Sequence, residues 1–176
     1  SKLGFVGALG ANFGGDTLVS GNYSNGGSYS IKSGKGLMLA GGVTYAVDST
    51  MDVQATIGYE NDSTNASNGE IKFTRTPMEV LGFYNFNDAY RLGLGLRRAS
   101  GAHLSSSGAA ASVGSEDFDA STGAVLEGQY LFGQKNTERK ARFGLYARYV
   151  AEKFTSQKSS KTVSGNHIGL GVVTYF

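Results

Sequence analysis

The chain has 176 residues, of which 27 are Gly, one is Pro and none is Cys or Trp, and its net charge at neutral pH is +2. Without Cys there is no disulfide scaffold and no zinc–thiolate site, and so slight a positive balance argues against nucleic acid as a partner. No run approaches the eighteen or so apolar residues that a spanning helix needs, so any insertion into a membrane must be through strands.

Alternation with a period of two marks eight segments. The first, about residues 2–14, sets Leu3, Phe5, Leu9, Ala11 and Phe13 on one side; the second, about 35–47, does the same with Leu37, Leu39, Val43, Tyr45 and Val47. The third, about 51–60, is the clearest, with Met51, Val53, Ala55, Ile57 and Tyr59 alternating with Asp52, Gln54, Thr56, Gly58 and Glu60. Four further segments fall near 71–86, 90–100, 119–132 and 141–155. The eighth, about 163–176, ends in IGLGVVTYF, where Ile168, Leu170, Val172, Thr174 and Phe176 share a face.

The connections sort by length. VDST, NFNDA and GQKNTERK are short, whereas the links at about 15–34, 61–70, 101–118 and 156–162 are long, polar and rich in Gly, Ser and Asn. Short turns at one end and long loops at the other are the layout of a transmembrane barrel, and an even strand count puts both chain ends on the short-turn side. Aromatic residues fall at the expected heights. Tyr45, Tyr84, Phe86, Tyr90, Tyr130, Phe132 and Phe176 lie near the short turns, and Phe13, Tyr59 and Tyr149 near the other ends, as two interfacial girdles would. About ten residues separate the girdles, which at roughly 3.3 Å each and a tilt near 40° span about 25 Å, the hydrocarbon thickness of an outer membrane.

With this layout, these girdles and this terminal strand, the whole chain resembles the OmpA-like and OmpX-like superfamily of small outer-membrane barrels. The resemblance implies an all-β, eight-stranded, antiparallel up-and-down transmembrane barrel occupying 1–176 as one domain, in the bacterial outer membrane with both termini periplasmic. It implies outer-membrane lipid and lipopolysaccharide as surroundings, and recognition of the C-terminal strand by the insertion machinery; Gly171 and Phe176 fit the family's terminal signal, while Gly169 and Thr174 depart from it. Surface-exposed structural proteins, adhesins, narrow pores and a few lipid A-modifying enzymes share this architecture.

An eight-stranded barrel is only just wide enough for its own side chains, so the inward residues decide between plug and pore. Counting up from the short turns puts Glu79 level with Arg97, and Glu127 level with Arg148, as a lumenal ionic cluster. Asp52, Arg91 and Arg142 form a lower polar layer with Gln54 and Gln129 above it; Glu60, Arg75 and Glu152 lie higher, and His167 faces inward. Such charges must pair, because an isolated one in this setting is very costly. Either the cluster is a structural core, or Arg97 or Arg148 exchanges partners between Glu79 and Glu127 and opens a thin water path, an arrangement similar to one proposed for OmpA-type barrels. Pro77 must leave a defect in its ladder, either a tolerated kink or a lateral opening.

Catalysis finds little support. His167 faces the lumen and His103 falls in a loop, so neither matches the Ser–His arrangement of an outer-membrane lipid A deacylase. Two distant histidines and the EDFD run at 116–119 make no metal constellation, and no cofactor is expected. The expectation is a monomeric, non-enzymatic barrel with a structural or surface-interaction role. A narrow gated channel and a lipid-modifying enzyme stand as alternatives.

Overall fold

The structure is a computed structural model and describes residues 2–23, 25–66, 69–133 and 141–176. Its strands in chain order are β1 (Leu3–Gly14), β2 (Thr17–Asn22), β3 (Ser28–Lys32), β4 (Gly36–Ala46), β5 (Met51–Ala66), β6 (Gly69–Asn85), β7 (Tyr90–Gly108), β8 (Glu116–Ala120), β9 (Gly123–Leu131), β10 (Arg142–Ala151), β11 (Lys153–Ser156), β12 (Thr162–Ser164) and β13 (His167–Tyr175). Eight of them close an antiparallel barrel in the order β1, β4, β5, β6, β7, β9, β10, β13, with β13 pairing back onto β1. Most of the expected 133–140 turn lies outside the described residues.

Register fixes the barrel's shape. The row of cross-strand partners from Leu3 passes Tyr45, Val53, Gly82, Leu94, Leu126, Tyr149 and Ile168, then returns to β1 at Phe13, ten residues further on. For eight strands that displacement corresponds to a tilt of about 40°. The chain ends meet at the short-turn end, where Phe5 and Phe176 exchange backbone hydrogen bonds of 3.1 and 3.0 Å. Two of the short turns are closed by their own side chains. Asp48 Oδ1 accepts from the Thr50 and Met51 amides at 2.7 and 2.9 Å, and Asn87 Oδ1 accepts from the Ala89 and Tyr90 amides at 2.8 Å each. The Thr50 amide in particular holds the Asp48 carboxyl below its usual range.

The outer wall is apolar around its whole circumference at mid-height, with Leu9, Leu39, Ile57, Val80, Leu94, Leu126, Leu145 and Leu170 all exposed. A surface this apolar is stable only in hydrocarbon. Tyr45, Tyr84, Phe86, Tyr90, Tyr130, Phe132 and Phe176 also face outward, toward the short-turn end. Tyr84 packs on Phe86, and Tyr130 on both Tyr90 and Phe132, with ring centroids 5.0–5.2 Å apart.

Beyond the lipid-facing band the structure departs from the sequence reading of long loops at 61–70 and 101–118. Residues 61–66 and 69–70 continue β5 and β6 as a paired hairpin, and β7 runs on to Gly108. The expected loop at 15–34 likewise contains the β2–β3 hairpin. The reason is an inversion of chemistry at constant parity. In β6 the residues Met78, Val80 and Tyr84 point out and Glu79 points in, whereas above Pro77 the outward positions are Thr76, Thr74 and Lys72 and the inward ones Phe73 and Ile71. Where water replaces lipid outside, the polar face turns out and the apolar face in. Ile31, Ile71, Phe73, Ala99, Ala102, Leu104, Phe118 and Phe154 form a buried cluster at this loop end, with Phe73 edge-on to Phe118 and to Phe154 at 5.7 Å.

A bulge makes the cluster possible. The β6–β7 register shifts between Thr74 and Thr76, and Gly101, at φ +60°, is the extra residue in β7. It turns Ala102 and Leu104 inward and His103 outward, the reverse of unbroken alternation. Pro77 causes a milder defect. The β5–β6 pairing is interrupted opposite Gly58 and resumes in the same register at Glu60–Arg75.

Gly101 therefore yields a test. A Cβ at this position meets no atom within 4 Å, so Gly101→Ala should cost only the left-handed backbone penalty of about 1–3 kcal/mol. Deleting Gly101 should cost much more, because it exposes Leu104 and buries His103. Urea midpoints of the refolded protein in detergent check the order.

Candidate functional site: a buried ionic network across the lumen

The barrel's inward residues stack in layers. At the short-turn end Arg91 donates through Nε to Gln129 Oε1 at 2.8 Å and through Nη1 to Asp52 Oδ2 at 3.3 Å, and it also bonds the Tyr175 hydroxyl. Its guanidinium lies 4.2 Å from the Phe83 ring centroid and 4.4 Å from that of Tyr175, two cation–π contacts. The Tyr175 hydroxyl is 2.9 Å from Gln54 Oε1 and from Gln129 Oε1, and its one proton serves either. Arg142, expected in this layer, is instead half-exposed at the rim, where it donates to the backbone carbonyls of Asp88 and Gly133. It is the first residue of β10, one row too low to reach the lumenal groups.

Higher up, Gln129 Nε2 donates to Glu127 Oε1 at 2.5 Å and connects this layer to the ionic network. Arg148 donates to Glu127 at 2.7 Å and makes a fork–fork pair with Glu79 at 2.7 and 3.0 Å. Arg97 in turn bonds Glu79 at 2.8 Å, Glu60 at 2.9 and 3.0 Å, and Glu152 at 2.8 and 3.2 Å. Arg75 closes the chain on Glu60 at 2.5 Å and donates to the Lys35 carbonyl at 3.2 Å. Asn12 Nδ2 adds a bond to Glu60 at 3.0 Å. All seven charged side chains are buried.

The structure thus brings together Glu79, Arg97, Glu127 and Arg148, and joins to them the higher layer of Glu60, Arg75 and Glu152. The pairing that joins them is legible in the register, since Glu60 and Arg75 are cross-strand partners in β5 and β6. Glu152 is less accessible to such counting. It sits where β10 and β11 interrupt one long strand, its amide donating to Asn166 Oδ1 at 2.9 Å instead of to the ladder.

His167 lies inward at the edge of the network, Nδ1 2.8 Å from the Gly165 carbonyl and 3.7 Å from Glu152 Oε1. Glu60, Glu152 and His167 offer ligand atoms within 4.8 Å of one another, but both carboxylates already bind Arg97, whose positive charge disfavours a metal cation beside it. His103 is on β7, not in a loop, and faces outward with Nδ1 2.6 Å from Asp117 Oδ1. Among the described residues no serine or threonine hydroxyl hydrogen-bonds either imidazole.

Large side chains also point into the barrel. Leu81, Phe83, Val125 and Val150 form one apolar group and Val6, Met38, Leu131, Tyr146 and Val173 another. The Tyr146 hydroxyl lies so close to Gly10 that a Cβ there would sit 2.0 Å from it, which is why the facing residue is glycine. A cavity beside Glu79, Glu127, Tyr146 and Arg148 holds about 10 Å³, about the least that admits one water. At the short-turn end the lumen widens into a vestibule of about 430 Å³ lined in part by Lys2, Asp52, Arg91 and Arg142.

No protein-family model and no curated protein sequence matches the chain. Solved structures do. Ail, the attachment invasion locus protein of Yersinia pestis, crystallised with the heparin analogue sucrose octasulfate, superposes with a TM-score of 0.51 at 12% identity over 99% of this chain and 97% of that one. The chain has the fold of a small eight-stranded outer-membrane barrel. AlkL, solved in lipid bilayers, and OprG of Pseudomonas aeruginosa are similar at TM-scores of 0.47 and 0.45, with 13% and 14% identity, covering 100% and 98% of this chain and 91% and 95% of theirs.

In a barrel of this fold the network should be costly to break. Removing Glu79 leaves parts of Arg97 and Arg148 unpaired, so Glu79→Ala should destabilise the folded barrel by about 3–5 kcal/mol. Glu70→Ala, on the wet hairpin, should cost about 0–1 kcal/mol. Equilibrium urea unfolding in detergent should separate the two clearly.

Proposed function

We propose that the protein is a monomeric barrel of the bacterial outer membrane, with both chain ends in the periplasm and a lumen closed to solutes, and that it acts through its outer wall and loop end. The observation that carries this reading is the ionic network. Glu60, Glu79, Glu127, Glu152, Arg75, Arg97 and Arg148 pair continuously across the cross-section, and a solute passing them would have to separate buried charges. The apolar cluster around Phe73 adds a second barrier at the loop end.

The sorting of short turns from long connections favours the loop end as the external one. Lipid and lipopolysaccharide would surround the apolar band, and β13 would present the strand read by the insertion machinery. The role is structural or one of surface interaction, without catalysis. Among the described residues His103 has a carboxylate partner but no hydroxyl beside it, and His167 is committed to a backbone carbonyl.

A narrow gated channel is the second reading, and one observation favours it. Arg97 is shared by three carboxylates, so it can release one and keep the others. Planar-bilayer recording discriminates between the two. Purified, refolded protein, recognised by its heat-modifiable gel migration, should give no steady conductance. Large, stable, ion-selective currents would establish the channel reading instead.

A further inference from the structure

We propose that the outer wall between β4 and β7 holds one lipid A molecule, with a phosphate on Arg98 and an acyl chain in the groove below it; this rests on the reading of the loop end as external. Gly41, Ile57, Met78 and Arg98 are successive cross-strand partners on the outward face. Below them Ala55, Val80 and Leu96 form the next outward row. Between the rows lies an open, almost wholly apolar depression of about 540 Å³. It exists because Gly41 and Ala55 are small where their neighbours are large.

The groove has a direction. In strands tilted by about 40°, a row of partners climbs about 3 Å per strand, so the depression rises about 9 Å from Gly41 to Arg98. Its lower end is deep in the hydrocarbon and its upper end at the interface, the path of an acyl chain descending from a headgroup.

Arg98 stands at the upper end, outward and exposed. Its flanking outward positions, Thr76 and Thr122, are uncharged. Lys35, on the same outer rim, is engaged 3.6 Å from Asp62, whereas among the described residues no carboxylate pairs with Arg98. A free guanidinium at the edge of hydrocarbon calls for an anion, and a phosphate accepts its planar fork in two places. Outer-leaflet lipid A supplies phosphate and acyl chain in one molecule.

Native mass spectrometry of the folded protein released from detergent tests this, with bisphosphorylated lipid A as the probe and Arg98→Gln and Gly41→Leu as variants. Among the described residues, Arg98→Gln removes no hydrogen bond or ion pair. A leucine side chain at position 41 fills the groove, since a Cβ there meets only the Val6 carbonyl, at 3.8 Å. Wild type should retain one lipid A per barrel. Arg98→Gln should weaken retention about fivefold, the effect of one interfacial arginine, and dephosphorylated lipid A should bind the wild type as weakly. Gly41→Leu should also weaken it, with Arg98 intact. Equal retention by wild type and both variants would overturn the site. Equal retention of phosphatidylglycerol and lipid A would overturn the choice of lipid, and neither result depends on whether the barrel conducts.

Discussion

Arg97 is held by carboxylates from three other parts of the chain, Glu60 on β5, Glu79 on β6 and Glu152 at the end of β10. None of these is close to it in sequence, and all of them reach it only if the sheet is closed and in register. A slip of one residue in any of these strands would turn its carboxylate toward lipid and leave the guanidinium bare. The network and the barrel therefore specify each other. Closure brings the charges together, and the charges penalise every other register.

The same strands cross two solvents. Within the hydrocarbon band the outward positions are apolar and the lumen carries the charge, as at Val80 and Glu79. Above Pro77 the outside is wet and the arrangement inverts, with Lys72 outward and Phe73 inward. The barrel is thus capped by a small water-soluble core built on the β5–β6–β7 extension, with the β2–β3 hairpin contributing Ile31. Arg75, stacked 5.3 Å from the Phe73 ring and bonded to Glu60, joins the ionic and apolar regions.

This inversion explains what could be read from the sequence. The barrel strands, their outward-facing aromatic residues and the turns at 47–50 and 85–89 were legible because lipid demands a strict apolar alternation that stands out against Gly, Ser and Asn. The extensions were not, because Ser63, Ser105 and Ser107 on a wet face look like loop, and because Gly101 reverses the parity of β7 and so hides Ala102, Leu104 and His103. Within the lumen, Glu79, Arg97, Glu127 and Arg148 could be placed by counting from the turns. Glu60 and Arg75 follow from the register of β5 and β6, whereas the reach of Glu152 into the same network depended on the break between β10 and β11, which leaves no mark in composition. Arg142 has the parity of a lumenal residue, but its position at the start of β10 gives it the turn carbonyls as partners.

If the network is closed and dry, its guanidinium protons exchange only slowly with water. In lipid bilayers, NMR should show the Nε–H protons of Arg97 and Arg148 as resolved signals exchanging far more slowly than that of exposed Arg98. Exchange of Arg97 as fast as that of Arg98 would mean that water reaches the middle of the barrel and that the network is open.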